Sequence, residues 1–142
     1  MILFFSETNY KISKKKPLKK WLTEIASMEC KKIGEVSVVF HNDAQLLVLN
    51  NRFLNHNILT DIITFDYSEK NIINGDICIS VERVKENALK FNCSFMEELR
   101  RVMVHGILHL CGFEDKKNDE RLLMRQKENS ALELFNTKYN YK

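Results

Sequence analysis

The chain has 142 residues, which the usual size relation makes one domain, residues 1–142, and 44% hydrophobic residues suffice for a single packed core. Its 22 lysines and arginines against 19 aspartates and glutamates give a formal charge of +3, too small to mark a nucleic-acid binder by total charge. Cys30, Cys78, Cys93 and Cys111 are widely spaced without a CxxC pair, which argues against both a disulfide framework and a thiolate zinc site and points to reduced core thiols.

The apolar start, Met1 to Phe5, has no basic residue ahead of it and does not read as a signal peptide, and no run approaches the roughly 20 apolar residues of a membrane span. A cytoplasmic protein is expected. Ile2 to Phe5 reads as a short strand, followed by six lysines between Lys11 and Lys20, a run that is more often a solvated face than a phosphate track. Pro17 opens a helix in which Leu18, Trp21, Leu22, Ile25 and Met28 recur at helical spacing, with Lys31 and Lys32 in its last turn and Gly34 beyond. Trp21 is therefore expected in the core. Val36 to Phe40 is β-branched and ends at Asn42 and Asp43, a strand running into a helix cap; the helix from about Ala44 to Asn55 puts Leu46, Leu49 or Asn50, and Phe53 on one face.

Thr60 to Tyr67 and Gly75 to Ser80 read as two further strands across a turn-rich segment, Ser68 to Gly75. Ser80 can cap a helix carrying Val84, Ala88 and Phe91, while Ser94 with Glu97 forms a capping box that opens a helix from Phe95 to Leu110. A last helix spans about Asp119 to Phe135 with Met124, Ala131 and Phe135 as its buried row, and the polar tail Asn136 to Lys142 is expected to fray. These elements predict an α+β fold: a small mixed four-stranded sheet packed with about five helices, with a metal site at the end of a central helix.

That site is read from His105 to Asp115, HGILHLCGFED. Histidines four apart on a helix share a face, so both imidazoles can reach one ion; Gly112 favours a left-handed exit from the helix, and Asp115 can return a carboxylate to the same point. Two histidines and a carboxylate form a familiar three-ligand zinc set with an open fourth position. Glu114 is the neighbouring alternative, and Asp115 is preferred because it keeps the three-residue step after Gly112. Cys111, two residues after His109, faces away on the helix. The spacing also occurs in zinc peptidases, where the residue after the first histidine is the glutamate that acts as general base, but here it is Gly106. Glycine lets something approach the helix closely, either a packed strand or a bulky substrate.

HGILHLCGFED resembles the signature of the YbeY family of metal-dependent endoribonucleases. LNNRFLNHNILTDIITF from Leu49, NGDICIS from Asn74 and MRQKE from Met124 are similar to further blocks of that family, in its order. The resemblance implies a zinc-dependent, single-strand-specific endoribonuclease of ribosomal RNA maturation, at the 3′ end of 16S RNA, with one Zn²⁺. It implies single-stranded or ribosomal RNA as partner, with the ribosomal subunit or its proteins beside it, and neither membrane nor DNA. It makes Arg52 part of the active site, where a guanidinium can hold a phosphate. One position departs: the family's signature usually ends in a third histidine where this chain has Asp115. A carboxylate binds zinc at a similar distance and lowers the charge of the site by one. His41 and His56 are unassigned, and Asp61 and Asp76 can cap turns as readily as serve the site. Two rival readings stand beside the nuclease: a metallopeptidase, weakened by Gly106, and a non-catalytic RNA-binding factor with a closed, structural metal.

Overall fold

The computed structural model describes residues 1–56 and 59–140. Four strands, β1 (Ile2–Ser6), β2 (Lys32–His41), β3 (Ile62–Asp66) and β4 (Ile72–Ser80), form one sheet in the order β1-β2-β4-β3. β1, β2 and β4 run parallel, and β3 closes the edge antiparallel to β4. Parallel neighbours need crossovers, which α1 (Lys15–Met28) supplies between β1 and β2, and α2 (Asp43–Leu54) with β3 between β2 and β4. Helices α3 (Val81–Lys90), α4 (Phe95–Leu110) and α5 (Asn118–Leu134) follow, ending in a π-helical turn, Phe135–Tyr139. The expected mixed sheet of four strands with five helices is what the described residues form.

Alternation along the strands divides the sheet into two faces. Val38 and Phe40 of β2 and Ile77 and Ile79 of β4 point to the side of α1 and α4, where each is at most 1% exposed. Residues offset by one, such as Val39 and Cys78, point to the other side, where α2 covers a small cluster of Leu46, Ile63 and Cys78. Trp21 is fully buried, donates its indole N–H to the Ala131 carbonyl at 2.8 Å and meets Phe135 edge-on, which joins α1 to α5. It is a core residue, as its helical spacing predicts.

Several local expectations give way to packing. Helix α1 stops at Met28, which is 63% exposed, because Cys30 takes the left-handed turn at φ 59°. Lys32 and Gly34 belong to β2, beside an irregularity in its pairing with β4 between Ile33 and Val36, so neither ends a helix. The turn before β4 is also shorter than expected, since Ile72 to Asn74 are already strand. Phe53 and Phe91 are exposed despite their positions on apolar repeats. The tail does not fray over its described part: Tyr139 is buried and its hydroxyl donates to Glu24, whereas Tyr141 and Lys142 lie outside the described residues.

Candidate metal centre

Helix α4 carries the site because of how it begins and ends. The Ser94 hydroxyl accepts from the Glu97 N–H at the N-terminus, and Gly112, at φ 105°, turns the chain back after the last turn. The Gly112 N–H bonds the His109 carbonyl and the Phe113 N–H bonds that of Leu108, satisfying carbonyls left free at the helix end. The turn also delivers two groups to the site: the Phe113 carbonyl and, two residues on, the Asp115 carboxylate.

The spacing of four places Arg101, His105 and His109 in one half-buried row along α4. His109 Nδ1–H donates to the Phe113 carbonyl at 2.8 Å, and His105 Nδ1–H donates to the Glu128 carboxylate of α5 at 2.6 Å. A carbonyl and a carboxylate can only accept, so the proton of each neutral ring sits on Nδ1 and each Nε2 presents a lone pair. The two Nε2 atoms are 2.9 Å apart, and Asp115 Oδ2 lies 3.2 Å from that of His105 and 3.3 Å from that of His109. Three acceptors converging in this way can hold a shared cation. Atoms bound about 2.0–2.1 Å from one zinc ion at tetrahedral angles stand roughly 3.3 Å apart, so the trio fits such an ion. Among the described residues no fourth histidine, cysteine or carboxylate joins the group. Glu114 lines the same cleft without belonging to it, and Cys111 packs against the core.

The trio opens into a cleft of about 760 Å³ between α4, β3, α3 and α5. Its electrostatics come from carboxylates drawn out of water. Glu128 is 5% exposed; burial pushes its pKa up, but hydrogen bonds from His105 and Arg101 outweigh this and hold it below the ordinary range. Burial disfavours the His105 imidazolium, yet the hydrogen bond and charge of Glu128, with Asp115 and Asp61, hold its pKa above the usual value. Asp61 and Glu98, also in the cleft, are raised, each chiefly by burial.

Gly106 faces the sheet. A Cβ there would lie 2.8 Å from Ile77 Cγ2 and 3.1 Å from Ile62 Cδ1, so a packed strand explains the glycine, and the position has no room for a peptidase's glutamate. Arg52 is exposed in the last turn of α2, its guanidinium 5.4 Å from the Phe53 ring, and does not line the cleft, although Leu54 and His56 just after it do. Asp61 reaches the cleft, whereas Asp76 and the buried His41 lie in a groove on the opposite face of the sheet. Glu128 and Arg101 are site residues that spacing alone did not single out. Arg101 was discoverable as the residue four before His105, and Glu128 only through the MRQKE block, since 23 residues separate it from its histidine.

Comparison with known proteins agrees with this geometry. The profile of the family described as Endoribonuclease YbeY matches residues 4–136. The endoribonuclease YbeY of Flavobacterium psychrophilum is 46% identical over 140 residues, covering 99% of this chain and all of its own length. That of Karelsulcia muelleri is 42% identical over 139 residues, covering 98% and 99%. The solution structure of a Thermotoga maritima protein, 32% identical, superposes with a TM-score of 0.68 over 96% of this chain and 91% of its own. The chain whose α4 and following turn build this centre thus belongs to the endoribonuclease YbeY family.

Proposed function

We propose that this chain is a zinc-dependent endoribonuclease that cleaves single-stranded RNA in the cytoplasm during ribosomal RNA maturation. His105, His109 and Asp115 hold one zinc ion in this reading, and Arg52 contacts phosphate. The observation that carries it is the convergence of two Nε2 lone pairs and one carboxylate oxygen at the wall of an open cleft. When bound, the ion supplies a Lewis acid for the scissile phosphate.

The chain's own residues set up the rest. Glu128 and the Phe113 carbonyl keep the protons of His105 and His109 on Nδ1, so both rings stay aimed at one point. Arg101, Lys116 and Arg125 line the cleft and offset the charge of a polyanion entering it. Asp61, whose carboxyl burial holds above the ordinary range, is suited to exchange a proton with the attacking or leaving oxygen. Arg52 stands two residues before Leu54 of the cleft wall, where it would meet the strand as it leaves. Peptide hydrolysis is disfavoured because position 106 packs against Ile77 and cannot carry the general base.

Single-turnover cleavage of a single-stranded RNA, after zinc removal and readdition, tests the assignment. His109→Ala and Asp115→Ala should each lower the zinc-restored rate by more than about 100-fold, since a Lewis acid contributes several kcal/mol. Unchanged cleavage in either variant would refute the ligand set. Analysis of the product ends then distinguishes the nucleophile, because only attack by the 2′-hydroxyl leaves a cyclic phosphate.

A further inference from the structure

Helix α3 turns Val81, Val84 and Ala88 inward, and its apolar repeat continues to Phe91. The helix ends at Lys90, however, and as its C-cap Phe91 is 55% exposed. A single exposed phenyl ring is ordinary on a protein surface. This one lines the cleft that holds the metal trio, and among the described residues it stacks on no other aromatic ring. One turn earlier Asn87 lines the same cleft, joined to Phe91 through the Phe91 N–H and the Asn87 carbonyl, while its side-chain amide bonds no described residue. Lys90 brings its ammonium 5.7 Å from the Phe91 ring.

We propose that Phe91 and Asn87 form a nucleobase subsite that takes one unstacked base flanking the scissile phosphate. This rests on the RNA-cleaving reading above and names what selects the single strand. A flat aromatic face stacks any base, and a carboxamide one helical turn away offers a donor and an acceptor to that base's hydrogen-bonding edge. In a duplex both faces of the base are stacked and its pairing edge is occupied, so the subsite excludes paired RNA without having to read its sequence. The specificity therefore resides in α3, separate from the ligands on α4 and its following turn.

The test uses zinc-loaded protein in single-turnover titrations, with an abasic nucleotide moved stepwise along a single-stranded RNA. Wild type should show one position where base loss raises the half-saturating protein concentration on the order of 5- to 100-fold. Phe91→Ala should raise it by a similar factor on intact RNA and show no further loss at that position, and Phe91→Trp should restore affinity. Asn87→Ala should flatten any preference among the four bases there. Unchanged half-saturation in Phe91→Ala, or full additivity of the side-chain and base deletions, would overturn the subsite. Fluorescence anisotropy of the same RNAs in chelator separates the two readings: RNA binding sensitive to Phe91 without zinc-restored cleavage would sink the nuclease assignment alone, cleavage indifferent to Phe91 would sink the subsite alone, and absence of both binding and cleavage would sink both.

Discussion

The two sides of α4 use one helical period for opposite ends. Away from the cleft, Leu99, Met103, Val104 and Ile107 are fully buried among apolar neighbours, and Gly106 admits β4 to close range. Facing the cleft, Arg101, His105 and His109 form a half-buried polar row whose groups are held by one another, by Glu128 and by the turn after the helix. The inner side stabilises through area removed from water, a nondirectional contribution that no single angle determines. The outer side depends on direction, because a ring turned away from the common point contributes nothing to holding a cation. Stability and chemistry are thus placed on opposite sides of the same helix, and each can be perturbed with the other as control.

The largest effect should come from the inner side. Met103→Ala removes a fully buried side chain from the main core and should lower the unfolding free energy by about 2–5 kcal/mol in urea denaturation. Zinc affinity of the remaining folded protein should stay within a few-fold of wild type. A parallel collapse of zinc affinity would break the comparison, showing that core packing itself sets the histidine geometry.

Glu128→Gln probes the outer side. The amide can still accept from His105 Nδ1, but it loses the charge that favours the bond and that also pairs with Arg101 at 3.0 Å. Such supporting partners are typically worth 10- to 100-fold in metal affinity, so zinc dissociation measured against a chromophoric chelator should rise by about that factor. Unchanged affinity would reduce Glu128 to an ion-pair partner of Arg101.

How much of this was legible in the sequence depends on how local each signal is. The bounds of α4 follow from Ser94 and Gly112, both at its own ends, and the histidine row from a spacing of four. The turn to Asp115 is equally local, which is why the convergence of His105, His109 and Asp115 could be read before any fold was known. Contacts that cross the chain were out of reach: the Glu128 bond to His105 exists only because α5 packs on α4, and Tyr139 is held by Glu24 far earlier in the chain. Apolar repeats misled where a helix ended early, since periodicity predicts a direction only while the helix continues. Met28, Phe53 and Phe91, at the ends of α1, α2 and α3, are the cases. Arg52 was placed by resemblance alone, and its exposed position against Phe53 leaves its role to be tested on RNA.

The smallest expected effect is the one most specific to the outer side. Asp61 is drawn into the cleft wall, where burial raises its pKa against the opposing charge of His105 and nearby backbone N–H groups. A carboxyl whose folded pKa exceeds its unfolded value binds more protons when folded, so its favourable contribution is complete below the ordinary carboxylate range and is lost as pH rises through the raised value. At neutral pH the half-buried anion therefore costs stability, and Asp61→Asn should raise Tm slightly in chelator. The gain should vanish near pH 3, below the ordinary carboxylate value of about 3.9, where the wild-type carboxyl is protonated in both states. Zinc should narrow the difference at neutral pH, since its charge favours the anion in wild type. RNA cleavage by Asp61→Asn should fall even as Tm rises, because the amide cannot exchange a proton. A lower Tm at neutral pH would mean that the folded state favours the anion, and the contrast between an inner side built for stability and an outer side held at its expense would fail at this residue.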